Sequence, residues 1–169
     1  MQKLDIGCGP NPQPGFTGID WKQYNESIVV VDLNKNILPF ANDSVDEVYS
    51  AHTLEHLDNP MDMVKEINRV LKPNGKLTIK VPYGMHPYSK KPNHKNYWNL
   101  ACIDYFNGEY IEDYPKWSVV QFNHNWGQSI IYKPLEFLFD ILLKWSPATY
   151  EKRFACVFPF FELIIEARK

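Results

Sequence analysis

The chain has 169 residues, of which 44% are hydrophobic and 22% charged, with a formal net charge of −2 at pH 7. This length predicts one domain with its own core, since single domains typically contain ~100–200 residues. The near-balanced charge excludes a polybasic nucleic-acid-binding arm or an acidic tail as the main feature.

The cysteines and the apolar segments indicate the compartment. Cys8, Cys102 and Cys156 are few and widely separated, which predicts reduced thiols rather than a disulfide framework. No signal peptide is recognisable, because Asp5 interrupts the apolar start of the chain. Residues 135–143 are apolar but too short to span a bilayer. We therefore expect a cytoplasmic protein without a membrane span.

Short apolar segments separated by turn residues dominate the first half, which is typical of a parallel sheet. The predicted strands cover residues 3–8, 16–20, 27–31, 45–50 and 76–81. Pro60 opens an amphipathic helix before the last of these strands, and Pro73-Asn74-Gly75 ends it. This alternation predicts an α/β fold with a doubly wound, Rossmann-like, mostly parallel sheet.

The second half holds most of the aromatic residues and a basic loop at 85–95. Helices are predicted at residues 100–106, 134–145 and from Ser146-Pro147 to about 157, and strands at 117–122 and 162–167. No linker separates the halves, so the sequence predicts a single domain over residues 1–169.

A glycine turn, Gly7-Cys8-Gly9, follows the first predicted strand. Two glycines at this spacing let the backbone turn sharply and let a ligand approach the main chain closely. In a parallel sheet this turn lies at the carboxyl edge, where such sheets bind ligands. Asp20 and Asp32 end the next two strands, in positions suited to a ribose diol and an adenine amino group.

A nicotinamide or flavin dinucleotide is the main alternative ligand. Its fingerprint requires a third glycine, a helix that starts at the turn and an acid ~20 residues further on. Pro12 occupies the third glycine position and Asp20 comes too early. The prolines after the turn also leave little room for the helix whose N-terminus would hold a diphosphate. S-adenosylmethionine, which has ribose and adenine but no phosphate, suits this turn better.

Six segments in order and spacing carry a family resemblance. They are Leu4-Asp5-Ile6-Gly7-Cys8-Gly9, Gly18-Ile19-Asp20, Leu38-Pro39-Phe40, Ser44-Val45-Asp46-Glu47-Val48-Tyr49-Ser50, Leu54-Glu55-His56-Leu57 and Glu66-Ile67-Asn68-Arg69-Val70-Leu71-Lys72-Pro73-Asn74-Gly75. Together they resemble the class I S-adenosylmethionine-dependent methyltransferases, in the branch called methyltransferase type 11. The fold expected on this basis has strand order 3-2-1-4-5, extended at one edge by the C-terminal strands.

The resemblance also implies roles for residues at the strand ends. It assigns cofactor binding to Asp5, Gly7, Cys8, Gly9, Asp20, Asp32, Leu33, Ser50, Ala51 and His52. Within this set, Asp5 and the glycine turn match the methionine end, Asp20 the ribose, and Asp32 with Leu33 the adenine. Residues 50–52 match the segment facing the methyl group, which makes His52 the candidate catalytic base by location.

The sequence thus predicts an S-adenosylmethionine-dependent methyltransferase in which residues 3–82 form the cofactor-binding core and residues 83–169 an acceptor or cap region. The expected acceptor is a small molecule or a sugar- or lipid-linked compound, bound with the help of the aromatics Tyr88, Tyr97, Trp98, Tyr105, Phe106, Trp117 and Trp126. Loss of Trp98 is therefore expected to weaken acceptor use and to leave the fold intact. No nucleic-acid partner is expected, and a homo-oligomer is compatible with the sequence.

Two alternatives of other classes remain open. A non-catalytic cofactor-binding or interaction module is suggested by the short, proline-rich loop after the glycine turn. A zinc hydrolase is suggested by His52-Thr53-Leu54-Glu55-His56, which matches the H-x-x-E-H motif. The motif needs both histidines on one helical face, but Pro60 leaves barely one turn. We therefore expect that these histidines hold no metal.

Overall fold

The computed structural model describes residues 1–106, 115–117, 119–125, 133–156 and 159–169. The strands of this part are β1 (Lys3–Ile6), β2 (Thr17–Asp20), β3 (Val29–Val30), β4 (Val45–Ala51), β5 (Leu71–Pro82), β6 (Val119–Asn125) and β7 (Glu162–Arg168). The helices are α1 (Pro60–Val70), α2 (Cys102–Phe106), α3 (Lys133–Trp145) and α4 (Pro147–Arg153). Short 3₁₀ turns cover Leu33–Lys35, Leu54–His56 and Pro87–Lys90. No described helix is long and apolar enough to cross a bilayer.

All seven strands form one sheet in the order β3-β2-β1-β4-β5-β7-β6. The first five strands are parallel, whereas β7 is antiparallel to both β5 and β6. The predicted α/β fold and the strand order 3-2-1-4-5 with C-terminal strands at one edge are confirmed. In the register, Ile6 lies beside both Ile19 and Ser50. The carboxyl ends of β1, β2 and β4 therefore meet at one edge of the sheet.

The core lies between this sheet and α1. The buried positions of α1 include Met63, Val64, Ile67 and Val70, whose three- and four-residue spacing places them on one helical face. In β7 the side chains of Leu163, Ile165 and Ala167 are buried, as strand alternation predicts. Aromatics of the second half complete the core, namely Tyr83, Trp98, Phe106, Trp117, Tyr150 and Phe160.

The connection between β1 and β2 lies at the carboxyl edge of the sheet and contains no helix. Residues 7–16 form turns without a helix, because three prolines at positions 10, 12 and 14 remove the backbone donors that a helix needs. The chain therefore passes directly from the glycine turn into β2, as the sequence predicted.

Several boundaries differ from those predicted. β3 is only Val29–Val30, and β5 already begins at Leu71. β5 contains the turn residues Pro73-Asn74-Gly75, where the strand is irregular and Asn74 has a φ of 64°. The helix predicted from Ser146 ends at Arg153, and its expected end near residue 157 lies outside the described residues. Since β6 and β7 belong to the main sheet, part of the predicted cap region is structurally one unit with the core.

Candidate active site

The glycine turn is attached to β2 and packed under Thr53. The backbone N–H groups of Gly7 and Cys8 both donate to the Ile19 carbonyl, at 2.8 and 3.2 Å. Gly7 has a φ of 71°, and a Cβ on it would lie 2.0 Å from Oγ1 of Thr53. Gly9 has a φ of 59° but open space around it. Position 7 therefore requires glycine for two reasons: the positive φ angle and the lack of space for a Cβ beside Thr53.

Two buried carboxylates at the strand ends hold the loop that follows. Asp20 accepts hydrogen bonds from the backbone N–H of Gly9 at 2.9 Å and of Lys22 at 3.2 Å. Asp5 accepts from Gln13 N–H at 2.8 Å, yet burial still raises the pKa of the Asp5 carboxyl. Asp5 and Asp20 therefore fix the conformation of the loop by accepting hydrogen bonds from its backbone N–H groups.

The end of β4 is joined to the end of β1 by hydroxyl groups. The hydroxyl of Ser50, which is 1% exposed, donates to the Ile6 carbonyl at 3.1 Å. The Thr53 hydroxyl lies 3.2 Å from the carbonyl oxygens of Ile6 and Ala51. These contacts position the backbone of residues 50–53 beside the glycine turn.

His52 is held between two buried carboxylates. Its Nε2 lies 2.9 Å from Oε1 of Glu162, and its Nδ1 lies 3.5 Å from Oε1 of Glu55. The hydrogen bond to Glu162 and the interaction with Glu55 raise the pKa of His52 to about 9. His52 also has a φ of 53°, which a non-glycine residue seldom adopts. At neutral pH this imidazole is a positioned cation, so acting as a base requires it first to lose that proton.

These elements enclose a cleft of about 300 Å³, at the small end of the usual range for ligand sites. Five predicted residues line it, namely Gly7, Asp20, Asp32, Leu33 and His52. Trp21, Asn34, Thr53, His56 and Leu57 complete the lining. The remaining predicted residues are not part of the lining: Asp5 lies in β1, Ser50 and Ala51 end β4, and Cys8 and Gly9 lie in the glycine turn. Among them, Cys8 is a neutral thiol, because burial raises its pKa to about 11.

The end of β3 supplies the wall opposite the glycine turn. The exposed Asp32 carboxylate accepts the N–H of Asn34 at 3.2 Å and so begins the 3₁₀ turn that buries Leu33. The Asn34 side-chain oxygen in turn accepts the N–H of Asp58 at 2.9 Å. This bond ties the segment after β3 to the segment that follows β4.

Sequence reasoning did not single out Trp21, Asn34, Leu57 or Glu162. Trp21 directly follows Asp20 and is 71% exposed, so its position next to a predicted ligand-binding acid was an available signal. No local pattern pointed to Glu162, because its place beside His52 depends on the antiparallel insertion of β7 next to β5.

The aromatics predicted to form an acceptor pocket divide into two groups. Trp98, Phe106 and Trp117 are buried in the core, at 6% exposure or less. Tyr97 and Tyr105 are exposed and line a separate cleft of about 420 Å³ that Trp98 also borders. Trp126 lies outside the described residues.

Comparison with known proteins finds a family match over part of the chain. A family model described as "Methyltransferase domain" matches residues 8–79. The chain is 33% identical over 81 residues to the sterol 4-C-methyltransferase strm-1 of Caenorhabditis elegans, an alignment that covers 48% of this chain. The chain spans only 23% of that relative's length.

Solved structures agree in fold. The chain matches an S-adenosylmethionine-dependent methyltransferase from Archaeoglobus fulgidus with a TM-score of 0.69 and 17% identity, over 99% of this chain and 86% of that one. It matches phosphoethanolamine N-methyltransferase 2 of Haemonchus contortus, solved with S-adenosylmethionine, with a TM-score of 0.63 and 16% identity, over 100% of this chain and 48% of that one. The resemblance inferred from the six sequence segments is confirmed.

Proposed function

We propose that this chain, which carries the methyltransferase domain in residues 8–79 and has the fold of the S-adenosylmethionine-dependent methyltransferases, transfers a methyl group from S-adenosylmethionine to a small-molecule or sugar- or lipid-linked acceptor. The observation that carries the proposal is the cleft in which Asp20 and Asp32, at the ends of adjacent strands, flank the glycine turn. This arrangement offers carboxylates to a ribose and to an adenine amino group.

The charges of the cleft favour this ligand over a dinucleotide. The residues that line it include two aspartates and the cationic His52 but no lysine or arginine, and no helix begins at the glycine turn. A diphosphate would meet carboxylates without the helix N-terminus that usually stabilises it. A sulfonium ligand carries a positive charge and hydroxyl donors, both of which carboxylates favour.

Each predicted residue has a place in this proposal. Asp20 would accept from the ribose, while Asp32 and Leu33 would contact the adenine. Asp5 and the turn Gly7-Cys8-Gly9 would shape the methionine end. Ser50 and Ala51 would position the segment that faces the methyl group, through the hydroxyl bridge from Ser50 to β1.

The reaction is an in-line displacement in which a lone pair of the acceptor forms a bond to the methyl carbon as the carbon–sulfur bond breaks. The sulfonium becomes a neutral thioether, and the acceptor's proton, where it has one, leaves to a base or to solvent. Orientation of the two reactants supplies much of the rate in such a step. His52 remains the candidate catalytic residue, with Glu55 and Glu162 fixing its position.

The names of the relatives support the acceptor class. The Caenorhabditis elegans relative is a sterol methyltransferase, and the Haemonchus contortus structure is a phosphoethanolamine methyltransferase. A lipid or lipid-precursor acceptor is therefore a suitable starting point for a substrate screen.

Calorimetry with S-adenosylmethionine and its demethylated product tests binding, and incubation of cell extracts with labelled cofactor tests transfer. Asp20→Ala should weaken binding by roughly tenfold or more, because ~1.5–3 kcal/mol of charge-assisted hydrogen bonding is lost. Asp62→Ala, an exposed aspartate on α1, is the matched control and should leave binding unchanged. Tighter binding of NAD, or no binding of either adenosyl ligand by the wild type, would refute the proposal. Binding without transfer to any extract component would favour the non-catalytic module.

A further inference from the structure

Glu55 is an unusual residue because it is a buried carboxylate without a hydrogen-bond donor. The residue is 1% exposed, and neither Oε1 nor Oε2 has a hydrogen-bond partner among the described residues. Nδ1 of His52 lies 3.5 Å from Oε1 of Glu55, whereas Nε2 of His52 makes a shorter contact, 2.9 Å, with Glu162. One imidazole ring therefore lies against two buried carboxyl groups, and a buried polar group without a hydrogen-bond partner is costly.

Two histidines lie next to this carboxylate. Glu55, His56 and His94 each offer one ligand atom, and these three atoms lie within 4.8 Å of one another. His94 is 9% exposed, and its ring meets that of His56 edge to face, with centroids 4.8 Å apart. The cluster therefore combines one carboxylate with two imidazoles in a mostly buried position.

The hydrogen bonds of both imidazoles leave the same nitrogen available. Nδ1 of His56 lies 2.9 Å from the Asn93 carbonyl, and Nδ1 of His94 lies 2.9 Å from the Ser89 carbonyl. A carbonyl oxygen only accepts, so Nδ1 of each ring must be the donor. Among the described residues no hydrogen bond engages Nε2 of either ring, so Nε2 can offer a lone pair. A backbone carbonyl on the far nitrogen is typical support for a metal-bound histidine.

The backbone fixes the two segments against each other. The N–H groups of Lys95 and Asn96 both donate to the Glu55 carbonyl, at 2.8 and 3.1 Å. The Asn96 amide also donates to the Leu57 carbonyl at 2.6 Å. These hydrogen bonds fix the backbone next to His94, so that His94 stays beside Glu55.

We propose that Glu55, His56 and His94 form a site for a divalent transition metal ion of the zinc class. Two imidazoles and a carboxylate are ligands that Zn²⁺ prefers, and three protein ligands leave a coordination position for water or another small ligand. Ligand distances of ~2.0–2.2 Å place tetrahedral ligand atoms ~3.4 Å apart, so ligand atoms that lie up to 4.8 Å apart must close by up to ~1.4 Å around the ion. Because His56 also lines the proposed cofactor cleft, the ion would lie at its border.

This set differs from the H-x-x-E-H pattern considered in the sequence, and it is an alternative to the expectation that His52 and His56 hold no metal. That pattern required His52 as a ligand, whereas the structure engages both His52 nitrogens with carboxylates. His94, which takes its place, comes from the loop after β5. The proposal does not depend on methyl transfer, since metal binding is measured without cofactor.

The test is titration of the chelator-treated full chain with Co²⁺, followed by visible absorption, and with Zn²⁺ in competition with a chromophoric chelator. We expect one equivalent to bind. His56→Ala and His94→Ala should each weaken binding at least ~100-fold, since loss even of a supporting residue typically costs 10–100-fold. His86→Ala, a histidine of the same loop outside the cluster, is the matched control and should bind normally. His52→Gln should still bind one equivalent because His52 is not a ligand, with an affinity changed by the loss of its contact with Glu55.

Three results would overturn the proposal: absence of stoichiometric binding, equal binding by the His94→Ala variant, or loss of binding in His52→Gln with retention in His94→Ala. A melting experiment on Glu55→Gln adds an independent readout. The metal-free variant should melt no lower than the wild type, because the carboxyl group that it replaces has no hydrogen-bond partner among the described residues, and Zn²⁺ should no longer raise its melting temperature. A clearly lower melting temperature of the metal-free variant would show that His52 satisfies this carboxylate, contrary to the proposal.

Discussion

The close approach of Thr53 to Gly7 gives a sharp test of how the proposed cofactor cleft is built. In Gly7→Ala the new Cβ would meet Thr53 Oγ1 at 2.0 Å, Cγ2 at 2.4 Å and Cβ at 2.7 Å. The backbone is also left-handed there, with a φ of 71°. The left-handed conformation costs an alanine ~1–2 kcal/mol, and overpacking adds ~1–3 kcal/mol. We expect a total loss of ~2–5 kcal/mol in the free energy of unfolding.

Gly9→Ala is the matched control because Gly9 has a similar φ of 59° but no atom within 4 Å of the added Cβ. It should lose only the conformational part, ~1–2 kcal/mol. Urea unfolding followed by circular dichroism gives both values, provided that the m-values stay equal.

A double-mutant cycle with Thr53→Ala separates the clash from the strain. This substitution removes Oγ1 and Cγ2, the two closest atoms, so the double mutant should be more stable than the sum of the single losses predicts, by ~0.5–3 kcal/mol. Equal losses for Gly7→Ala and Gly9→Ala, together with additivity in the cycle, would refute the packing of Thr53 over the glycine turn.

Further predictions concern the framework of the site. Glu66 accepts from the Leu38 N–H and from Arg69, and despite its burial these bonds lower its pKa below the ordinary value. Glu66→Gln should therefore cost ~1–3 kcal/mol at pH 7. The difference should shrink as the pH falls from the ordinary glutamate pKa of 4.5 through the lower pKa of the folded state, because the wild-type carboxylate is then protonated; urea titrations at pH 7 and at progressively lower pH measure this. Trp98→Ala should lower stability by ~3–5 kcal/mol because the ring is 4% exposed, as thermal or urea unfolding will show, and unchanged stability would return Trp98 to the acceptor pocket. His52→Gln should slow methyl transfer while leaving the dissociation constant of the demethylated cofactor within about threefold; equal rates in a transfer assay would remove His52 from the catalytic step.

The division at Trp98 shows where sequence reasoning reached its limit. The sequence predicted that the aromatics after residue 84 serve an acceptor pocket and that loss of Trp98 leaves the fold intact. The structure argues against the second point, because the Trp98 side chain packs in the core and its backbone forms a β-bridge with that of Tyr83. Composition reports how much aromatic surface is available, but not whether it faces a cleft or the interior.

The sequence by itself determined the features that depend on near neighbours along the chain. The apolar strands, the amphipathic α1, the glycine turn and the proline-rich loop without a helix all follow from local backbone preferences. The acids at the ends of β2 and β3 were also identified, because parallel strands bring their carboxyl ends to a common edge.

Only the tertiary structure decided which distant groups complete the site. Glu162 reaches His52 because β7 inserts antiparallel beside β5, and His94 reaches Glu55 because the backbone of residues 95 and 96 bonds to the Glu55 carbonyl. Thr53 packs on Gly7 through a loop conformation that includes the left-handed His52. These contacts arise from strand order and loop path, which are set by the burial of the whole core and leave no periodic signal in the residues concerned.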